Sequence, residues 1–184
     1  MGRWEPDAAG RLRGAAIELF AEHGYEGTTV ADIAARAGVT ARTFFRHYAD
    51  KREVLFDGQA VLLEALRAAI DAVPPDVPPL ATLFRAFRSV CPLLEANRPF
   101  SEPRQAVIAA TPSLRERELA KRAALAEALA GALRARGVPE DRSALAAQIG
   151  MAVFAEVTVA WLEQPEPDLA DRLDHAERDL KALR

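Results

Sequence analysis

Arg42 and Arg46 lie one helical turn apart, and their guanidinium groups carry the most informative chemistry in the chain. A guanidinium is a rigid, planar fork of donors, which suits paired acceptors such as two phosphate oxygens or the O6 and N7 atoms of guanine. Because the fork fits both partners, the position of each arginine along its helix decides between them. The role of the pair therefore depends on the elements that hold it.

Two short helices joined by a tight turn are predicted across residues 28–48. Thr28 or Thr29 can cap the first helix, and Gly38 supplies the left-handed residue that ends it. Thr40 can cap the second helix, in which Phe44 falls on the inner side. The side chains that can point outward from this second helix are Ala41, Arg42, Thr43 and Arg46. This pattern is typical of a helix-turn-helix, whose second helix enters the major groove of DNA.

Positive charge is concentrated in this region of the sequence. The stretch 36–52 carries five basic residues and one acid, Asp50, whereas the whole chain has a net charge of -3. An acidic protein is not a general nucleic-acid coat, so DNA binding should depend on one focused patch that dimerisation doubles. The basic residues of this stretch are Arg36, Arg42, Arg46, Lys51 and Arg52.

The motifs that would indicate other functions are missing from the sequence. It has no phosphate-binding glycine loop, no HExxH or GxSxG motif and no suggestive Cys–His pair, so we expect no catalytic residue, metal or cofactor. The start of the chain lacks the apolar run of a signal peptide. The longest apolar run, residues 149–162, is shorter than the roughly 20 residues of a membrane span. We therefore expect a cytoplasmic protein without membrane contact.

Helical periodicity along the chain predicts an all-α fold. The first helix should cover residues 7–23 and stop at Gly24, and Asp50 should cap a long fourth helix that reaches residue 73. The proline cluster 74–79 ends that helix and is the best candidate boundary by composition. We assign residues 1–52 to an N-terminal three-helix helix-turn-helix domain and residues 53–184 to a C-terminal helical domain.

The last two predicted helices, residues 140–164 and 168–183, are the candidate dimer elements. Small residues on the first of them allow close approach of a second helix, while larger apolar residues supply contact area. The same stripes could equally pack on their own subunit, and both interpretations stay open at this point. The small residues are Ala146, Ala147, Gly150 and Ala155.

The segment GYEGTTVADIAARAGVTARTFFRHYADKREVL, residues 24–55, resembles the DNA-binding segment of the TetR family of bacterial transcriptional regulators. The resemblance covers about the first quarter of the chain without gaps. It implies a homodimer, usually a repressor, that binds a double-stranded DNA operator. It also implies that the C-terminal domain binds a small molecule, here a hydrophobic one, and then releases the DNA. From Leu114 to Trp161 the chain resembles, more weakly, actinobacterial family members that sense acyl-thioesters or other lipophilic compounds.

The resemblance implies a set of DNA contacts. One group falls where side chains of the family read bases, with Arg42 the first choice for guanine, and consists of Ala41, Arg42, Thr43 and Arg46. A second group falls where phosphates are bound, and consists of Thr29, His47, Tyr48 and Lys51. At position 45 the family often has a tyrosine whose hydroxyl bonds a phosphate. Phe45 has no hydroxyl, so it could instead pack against a sugar or support the helix.

A ligand pocket in the C-terminal domain is a weaker prediction. Aromatic and sulfur-containing residues at helical spacing could line it, although such stripes are more often plain core. Glu156 interrupts an apolar run, so its carboxylate must face solvent, face a dimer partner or pair with Arg88 or Arg104, in which case it could orient a ligand. The candidate pocket residues are Phe84, Phe87, Arg88, Cys91, Arg104, Met151, Phe154, Glu156 and Trp161.

Two functions therefore remain in competition. The first is a ligand-released repressor that binds a palindromic operator as a homodimer through its last two helices. The second is a constitutive DNA-binding dimer whose C-terminal domain senses no ligand. Release of the operator by a small molecule would separate them.

Overall fold

The computed structural model describes residues 7–183, and every regular element in that range is a helix. The predicted all-α fold class is confirmed. The α-helices of the described range are α1 (Ala8–Gly27), α2 (Val30–Arg36), α3 (Ala41–His47), α4 (Gln59–Ala72), α5 (Pro79–Ser89), α6 (Cys91–Ala96), α7 (Arg98–Ala110), α8 (Pro112–Ala135), α9 (Glu140–Glu163) and α10 (Leu169–Ala182), with a short 3₁₀ helix at Glu53–Phe56.

The helix boundaries follow local signals in the sequence. Gly24 has φ 74°, so the backbone leaves helical geometry there and α1 is kinked at the predicted stop. Pro112 opens α8, where its missing amide hydrogen costs no helical hydrogen bond. The Asp168 carboxylate caps α10 by accepting a 2.8 Å hydrogen bond from the Asp171 amide.

The prediction of one long helix from residue 50 to residue 73 is wrong. The Asp50 carboxylate does accept hydrogen bonds from the amides of Arg52 at 2.8 Å and Glu53 at 3.2 Å. The chain then forms only the 3₁₀ turn, and Gly58 has φ 91°. A left-handed residue cannot continue a right-handed helix, so α4 begins after it, at Gln59.

The described chain forms two compact units. The first extends through Gly58 and includes Phe100–Arg115, and the second consists of Gln59–Pro99 and the residues from Glu116 onward. This division differs from the predicted boundary after residue 52, because later segments complete the core of the first unit. These later core residues are Val54, Leu55, Phe56, Ile108 and Leu114.

Each unit has its own apolar core. In the first unit, Leu12, Ile33 and Phe44 are fully buried where α1, α2 and α3 meet. In the second unit, α5 packs against α4, α9 and α10. α9 has the length and composition of a membrane-spanning helix, but one of its faces is buried in this core, as in the core helix of a globular protein.

Candidate nucleic-acid interface

Hydrogen bonds from two threonines define the first half of the helix-turn-helix. The Thr28 hydroxyl is buried and donates to the carbonyl oxygens of Leu19 at 3.1 Å and Gly24 at 2.9 Å, which fixes the end of α1. The Thr29 hydroxyl and amide both donate to the Asp32 carboxylate, and the Asp32 amide donates to the Thr29 hydroxyl oxygen. These reciprocal hydrogen bonds form a capping box at the start of α2. The hydrogen bonds from Thr29 lower the pKa of Asp32, so the cap stays ionised at neutral pH.

The turn places α3 as the sequence predicts. Gly38 has φ 69°, and the Val39 amide donates to the Ala34 carbonyl at 2.9 Å. The Thr40 hydroxyl accepts a 3.1 Å hydrogen bond from the Thr43 amide and so caps α3. Phe44 is fully buried and anchors the inner side of the helix.

The outer surface of α3 brings together most of the predicted DNA contacts. Ala41, Arg42, Arg46 and His47 are exposed, and Thr43 is half-buried. Within residues 7–183, Arg42 and Arg46 make no hydrogen bond or ion pair. Both guanidinium groups are therefore available to an external acceptor.

Two arginines of the predicted basic patch form ion pairs with acidic residues of the same chain. Arg36 binds Glu22 at 2.9 Å and Glu18 at 3.2 Å, and this joins α2 to α1. Its hydrogen bond lowers the pKa of Glu22. Arg52 pairs with Asp50 at 2.7 Å. Among the described residues 36–52, Arg42 and Arg46 are therefore the arginines without an acidic partner, and both lie on α3.

Tyr48 requires a correction to the predicted phosphate contacts. Its side chain is only 6% exposed, and its hydroxyl donates to the Asp57 carboxylate at 2.8 Å. Burial and this hydrogen bond raise the pKa of the hydroxyl, which stays protonated. Tyr48 therefore holds the end of α3 inside the first unit instead of facing DNA.

Lys51, another predicted phosphate contact, also has acceptors inside the protein. Its Nζ atom donates to the carbonyl oxygens of Tyr25 at 2.7 Å and Thr28 at 2.9 Å. It also lies 4.3 Å from the centre of the Tyr25 ring, a cation–π distance. These carbonyls lie at the end of α1, so the ammonium group already has two acceptors at a helix terminus, and we expect it to stabilise the fold more than DNA binding.

We expect Lys51→Ala to lower the free energy of unfolding by about 1.5–3 kcal/mol, because two hydrogen bonds from a charged donor are lost. The salt dependence of DNA binding should stay nearly unchanged. Arg52→Ala is the matched control and should cost less than about 1 kcal/mol, since its ion pair is exposed. Chemical denaturation and salt-titrated binding measure both quantities. A fall in the salt slope of about 0.9 per subunit for Lys51→Ala would instead support a phosphate contact.

Sequence reasoning missed the residues that hold Tyr48. Asp57 accepts the tyrosine hydrogen bond and lies 4.0 Å from the Arg13 guanidinium, which stacks at 4.1 Å from the centre of the Phe100 ring. Neither Asp57 nor Arg13 belongs to a recognisable sequence motif. Only the folded chain brings α1, α3 and α7 together at this point.

The predicted pocket residues of the second unit form packed core. The Phe87 and Phe154 rings stack with centroids 4.3 Å apart, and Phe84 meets Phe87 edge-on at 6.1 Å. Cys91 is buried, which raises the pKa of its thiol to about 11. Met151 and Trp161 are buried in the same cluster. The alternative of plain core therefore describes the resting arrangement of these side chains.

The charged residues predicted beside this pocket are not brought together. Glu156 is exposed on α9 and makes no ion pair within the described residues. Arg88 instead binds Asp174 and Glu177 of α10. Arg104 belongs to the first unit, where it donates to the Leu55 carbonyl. Of the alternatives that the sequence left open for Glu156, the structure therefore agrees with an exposed carboxylate and not with a pairing to Arg88 or Arg104.

The second unit also has a surface groove of 560 Å³ between α4 and α8. Small residues of α8 line it together with three charged residues. The lining residues are Arg67, Asp71, Ala124, Glu127, Ala128, Gly131, Ala132 and Ala135. Across residues 7–183, no three side chains that could bind a metal come together.

Comparison with known proteins covers nearly the whole chain. Residues 12–57 match the family model described as bacterial regulatory proteins of the tetR family, and residues 77–183 match the model described as the MftR C-terminal domain. The first match lies within the first unit, and the second match covers the helices from α5 to α10.

Individual relatives agree with the family models. The chain is 45% identical over 75 residues, 41% of its length, to the HTH-type transcriptional regulator TcmR of Streptomyces glaucescens, of which the match spans only 33%. It is 29% identical over 163 residues to a protein named as the mycofactocin biosynthesis transcriptional regulator MftR of Mycobacterium tuberculosis, covering 88% of this chain and 76% of that protein.

A solved structure also matches both units. FadR of Thermus thermophilus, described as a TetR family transcriptional repressor in complex with lauroyl-CoA, is 26% identical with a TM-score of 0.53, over 92% of this chain and 91% of that chain. The helix-turn-helix geometry, the two family models and these relatives agree. The chain therefore belongs to the TetR family of bacterial transcriptional regulators, which are helix-turn-helix DNA-binding proteins and not enzymes.

Proposed function

We propose that this regulator represses transcription by binding a palindromic operator as a homodimer, and that a small hydrophobic effector releases it from DNA in the cytoplasm. The observation that carries the proposal is the pair Arg42 and Arg46 on a capped recognition helix, exposed and without an acceptor among residues 7–183. Such a helix fits the major groove, where arginine forks bind guanine edges.

The proposed contacts form two groups on this surface. We assign Arg42, Arg46, Thr43 and Ala41 to base edges, because they share the outer side of α3. Thr29 and His47 are assigned to phosphates, since both are exposed at its margins. The Thr29 hydroxyl is already bound to Asp32 at 2.6 Å, so the contact from this position would come from the backbone amides of α2.

Removal of one base contact tests this assignment. Arg42→Ala should lose about 1–3 kcal/mol of operator affinity and relax preference at one base pair per half-site. Binding would be measured on an operator selected from random DNA and on all its single-base variants. Arg52→Ala, which removes an arginine paired with Asp50, is the control and should change no preference. Unchanged base preference in Arg42→Ala would refute the base-reading role.

Dimerisation is proposed through α9 and α10. The small residues Ala146, Ala147 and Gly150 do not provide the contact, because they are buried in their own unit. A Cβ on Gly150 would lie 3.0 Å from a Leu83 methyl group. The opposite side of α9 remains exposed or half-buried and supplies apolar contact area for a second copy. Its residues are Leu145, Ile149, Ala152, Glu156, Val159 and Ala160.

The dimer geometry can be tested on DNA. Two recognition helices related by a twofold axis should select a near palindrome whose half-sites lie about 34 Å apart, or a multiple of it. Analytical ultracentrifugation should give the mass of a dimer, and Leu145→Glu should shift the protein toward the monomer. A stable monomer of the unaltered chain that binds a single half-site would contradict the homodimer.

The effector is proposed to be a lipophilic molecule such as an acyl thioester. The support is the similarity of the C-terminal domain to the MftR model and to the repressor solved with lauroyl-CoA. Lauroyl-CoA should raise the melting temperature, because a ligand of the folded state stabilises it, and should release the operator. Free coenzyme A is the control for the nucleotide part.

The packed core favours a second candidate, a constitutive DNA-binding dimer. An effector bound among Phe84, Phe87 and Phe154 would have to separate rings that already touch. If neither lauroyl-CoA nor a range of acyl chain lengths changes melting temperature or operator affinity, the constitutive function is the better one.

A further inference from the structure

Asp57 lies at the point of the first unit where α1, the end of α3 and the segment before α4 meet. One oxygen of its carboxylate accepts a 2.8 Å hydrogen bond from the Tyr48 hydroxyl. The other oxygen accepts a 3.0 Å hydrogen bond from the Gly58 amide. The Arg13 guanidinium of α1 lies 4.0 Å from the oxygen that binds the tyrosine. The carboxylate therefore joins the end of the recognition helix to two other parts of the unit.

Two aromatic anchors on the inner side of α3 set the direction of this short helix. Phe44 is fully buried at its middle, and Tyr48 follows one turn later, with the two ring centres 5.6 Å apart. Apolar contacts alone let a ring slide, because the hydrophobic effect has no directional preference. The Tyr48 hydroxyl adds a directional hydrogen bond to Asp57. This second fixed point resists rotation of α3 about Phe44.

The direction of α3 matters more for contacts to bases than for attraction to phosphates. Residues of an α-helix are separated by about 100°, so Arg42 and Arg46 extend from the side opposite Phe44. A rotation about Phe44 therefore moves their guanidinium groups. A bidentate contact to guanine needs two hydrogen bonds within narrow limits of distance and angle, whereas attraction to phosphates depends mainly on charge. A loosened α3 should lose base preference before it loses general affinity for DNA.

We propose that Asp57 is a positioning residue that sets the base preference of α3 through the Tyr48 hydroxyl. This rests on the proposed base contacts of Arg42 and Arg46 and deepens them. Without the carboxylate, the buried hydroxyl would turn to the Ala9 carbonyl of α1, which lies 3.4 Å from it. A hydrogen bond of normal length to that carbonyl requires the end of α3 to approach α1, and this moves the arginines relative to their bases.

The test breaks the hydrogen bond from either side, in the whole chain and on an operator selected by the unaltered protein. Asp57→Ala and Tyr48→Phe should each reduce discrimination between the operator and its single-base variants about tenfold, because part of a bidentate contact is lost. Affinity for unrelated duplex DNA and its salt slope should stay the same. Tyr48→Phe keeps the buried ring, so it tests the proposal even if Asp57→Ala does not fold.

Three further variants separate positioning from a general effect on the fold. The double variant Asp57→Ala with Tyr48→Phe should lose no more discrimination than either single variant, because both remove the same hydrogen bond. Asp57→Asn keeps an oxygen that can accept from the hydroxyl, so it should restore the discrimination. Tyr25→Phe removes the hydroxyl of the other tyrosine in the chain, which is also buried in the first unit, and should change no base preference.

Three results would overturn the proposal. Unchanged discrimination in Tyr48→Phe would show that base preference does not depend on this hydrogen bond. Additive losses in the double variant would show that the two residues act independently. An equal loss of affinity for the operator and all its variants, with a lower free energy of unfolding, would show that Asp57 is structural only. If the unaltered protein has no base preference, the proposed function itself fails.

Discussion

Replacing Phe44 by alanine should lower the free energy of unfolding by about 3–5 kcal/mol, because a fully buried ring is removed and a cavity is left. Phe44 is 0% exposed and lies 5.6 Å, centre to centre, from the Tyr48 ring. It is also the residue that fixes the inner side of α3. We therefore expect Phe44→Ala to lose operator binding together with stability.

Phe45→Ala is an unusually close control for this experiment. The two phenylalanines are adjacent in sequence, but one ring is buried and the other is 57% exposed. Phe45→Ala should change the free energy of unfolding by less than about 1 kcal/mol. Urea denaturation followed by circular dichroism, at one fixed protein concentration, measures both variants. Equal destabilisation of the two would show that Phe44 does not anchor the helix.

A loss of similar size is expected in the second unit from Phe87→Ala. Its ring is fully buried, stacks on Phe154 and touches Phe84, so its removal should cost about 3–5 kcal/mol. The fluorescence of the buried Trp161 reports unfolding of the same core. Leu119→Ala, on the exposed side of α8, should cost less than about 1 kcal/mol.

The cavity left by Phe87→Ala also tests whether this core is filled in the unaltered protein. An apolar cavity binds a small apolar molecule such as benzene. Benzene should raise the melting temperature of Phe87→Ala and leave that of the unaltered chain unchanged. If benzene stabilises the unaltered chain equally, a pre-formed site exists in this core and the effector does not need to displace aromatic rings.

The helix-turn-helix could be predicted in detail because its signals are local. Thr29, Gly38 and Thr40 act within three or four residues of themselves, as caps or as a left-handed turn. The outward placement of Arg42 and Arg46 follows from the same periodicity. Both could therefore be predicted from a window of about twenty residues.

The roles of Tyr48, Lys51 and Arg36 could not be predicted in this way. Each is bound to a group from another part of the fold, such as the carbonyl of Tyr25 in the case of Lys51. A resemblance assigns roles by position and does not show whether a side chain has already found an internal acceptor. The internal acceptors of Tyr48 and Lys51 are the reason why we do not propose either side chain as a phosphate contact.

The C-terminal domain exposed another limit of sequence patterns. A stripe that includes Phe84, Phe87 and Phe154 has the same spacing whether it lines a cavity or fills one. The distinction depends on how closely α5 and α9 approach, and Gly150 permits a close approach. Three of the four small residues on α9, Ala146, Ala147 and Gly150, are buried in this core, which is the second of the two interpretations that the sequence left open.

The composition of the first unit bears on how such a regulator can be dissected or recombined. Ile108 and Leu114 are part of its core, although they follow Gly58 by some fifty residues. A truncated protein ending at residue 58 would expose the apolar groups that these side chains cover, and should aggregate. A chimaera that joins this DNA-binding unit to the ligand-binding domain of another regulator must therefore keep residues 100–115 as well. Joining the two proteins at a single position is insufficient.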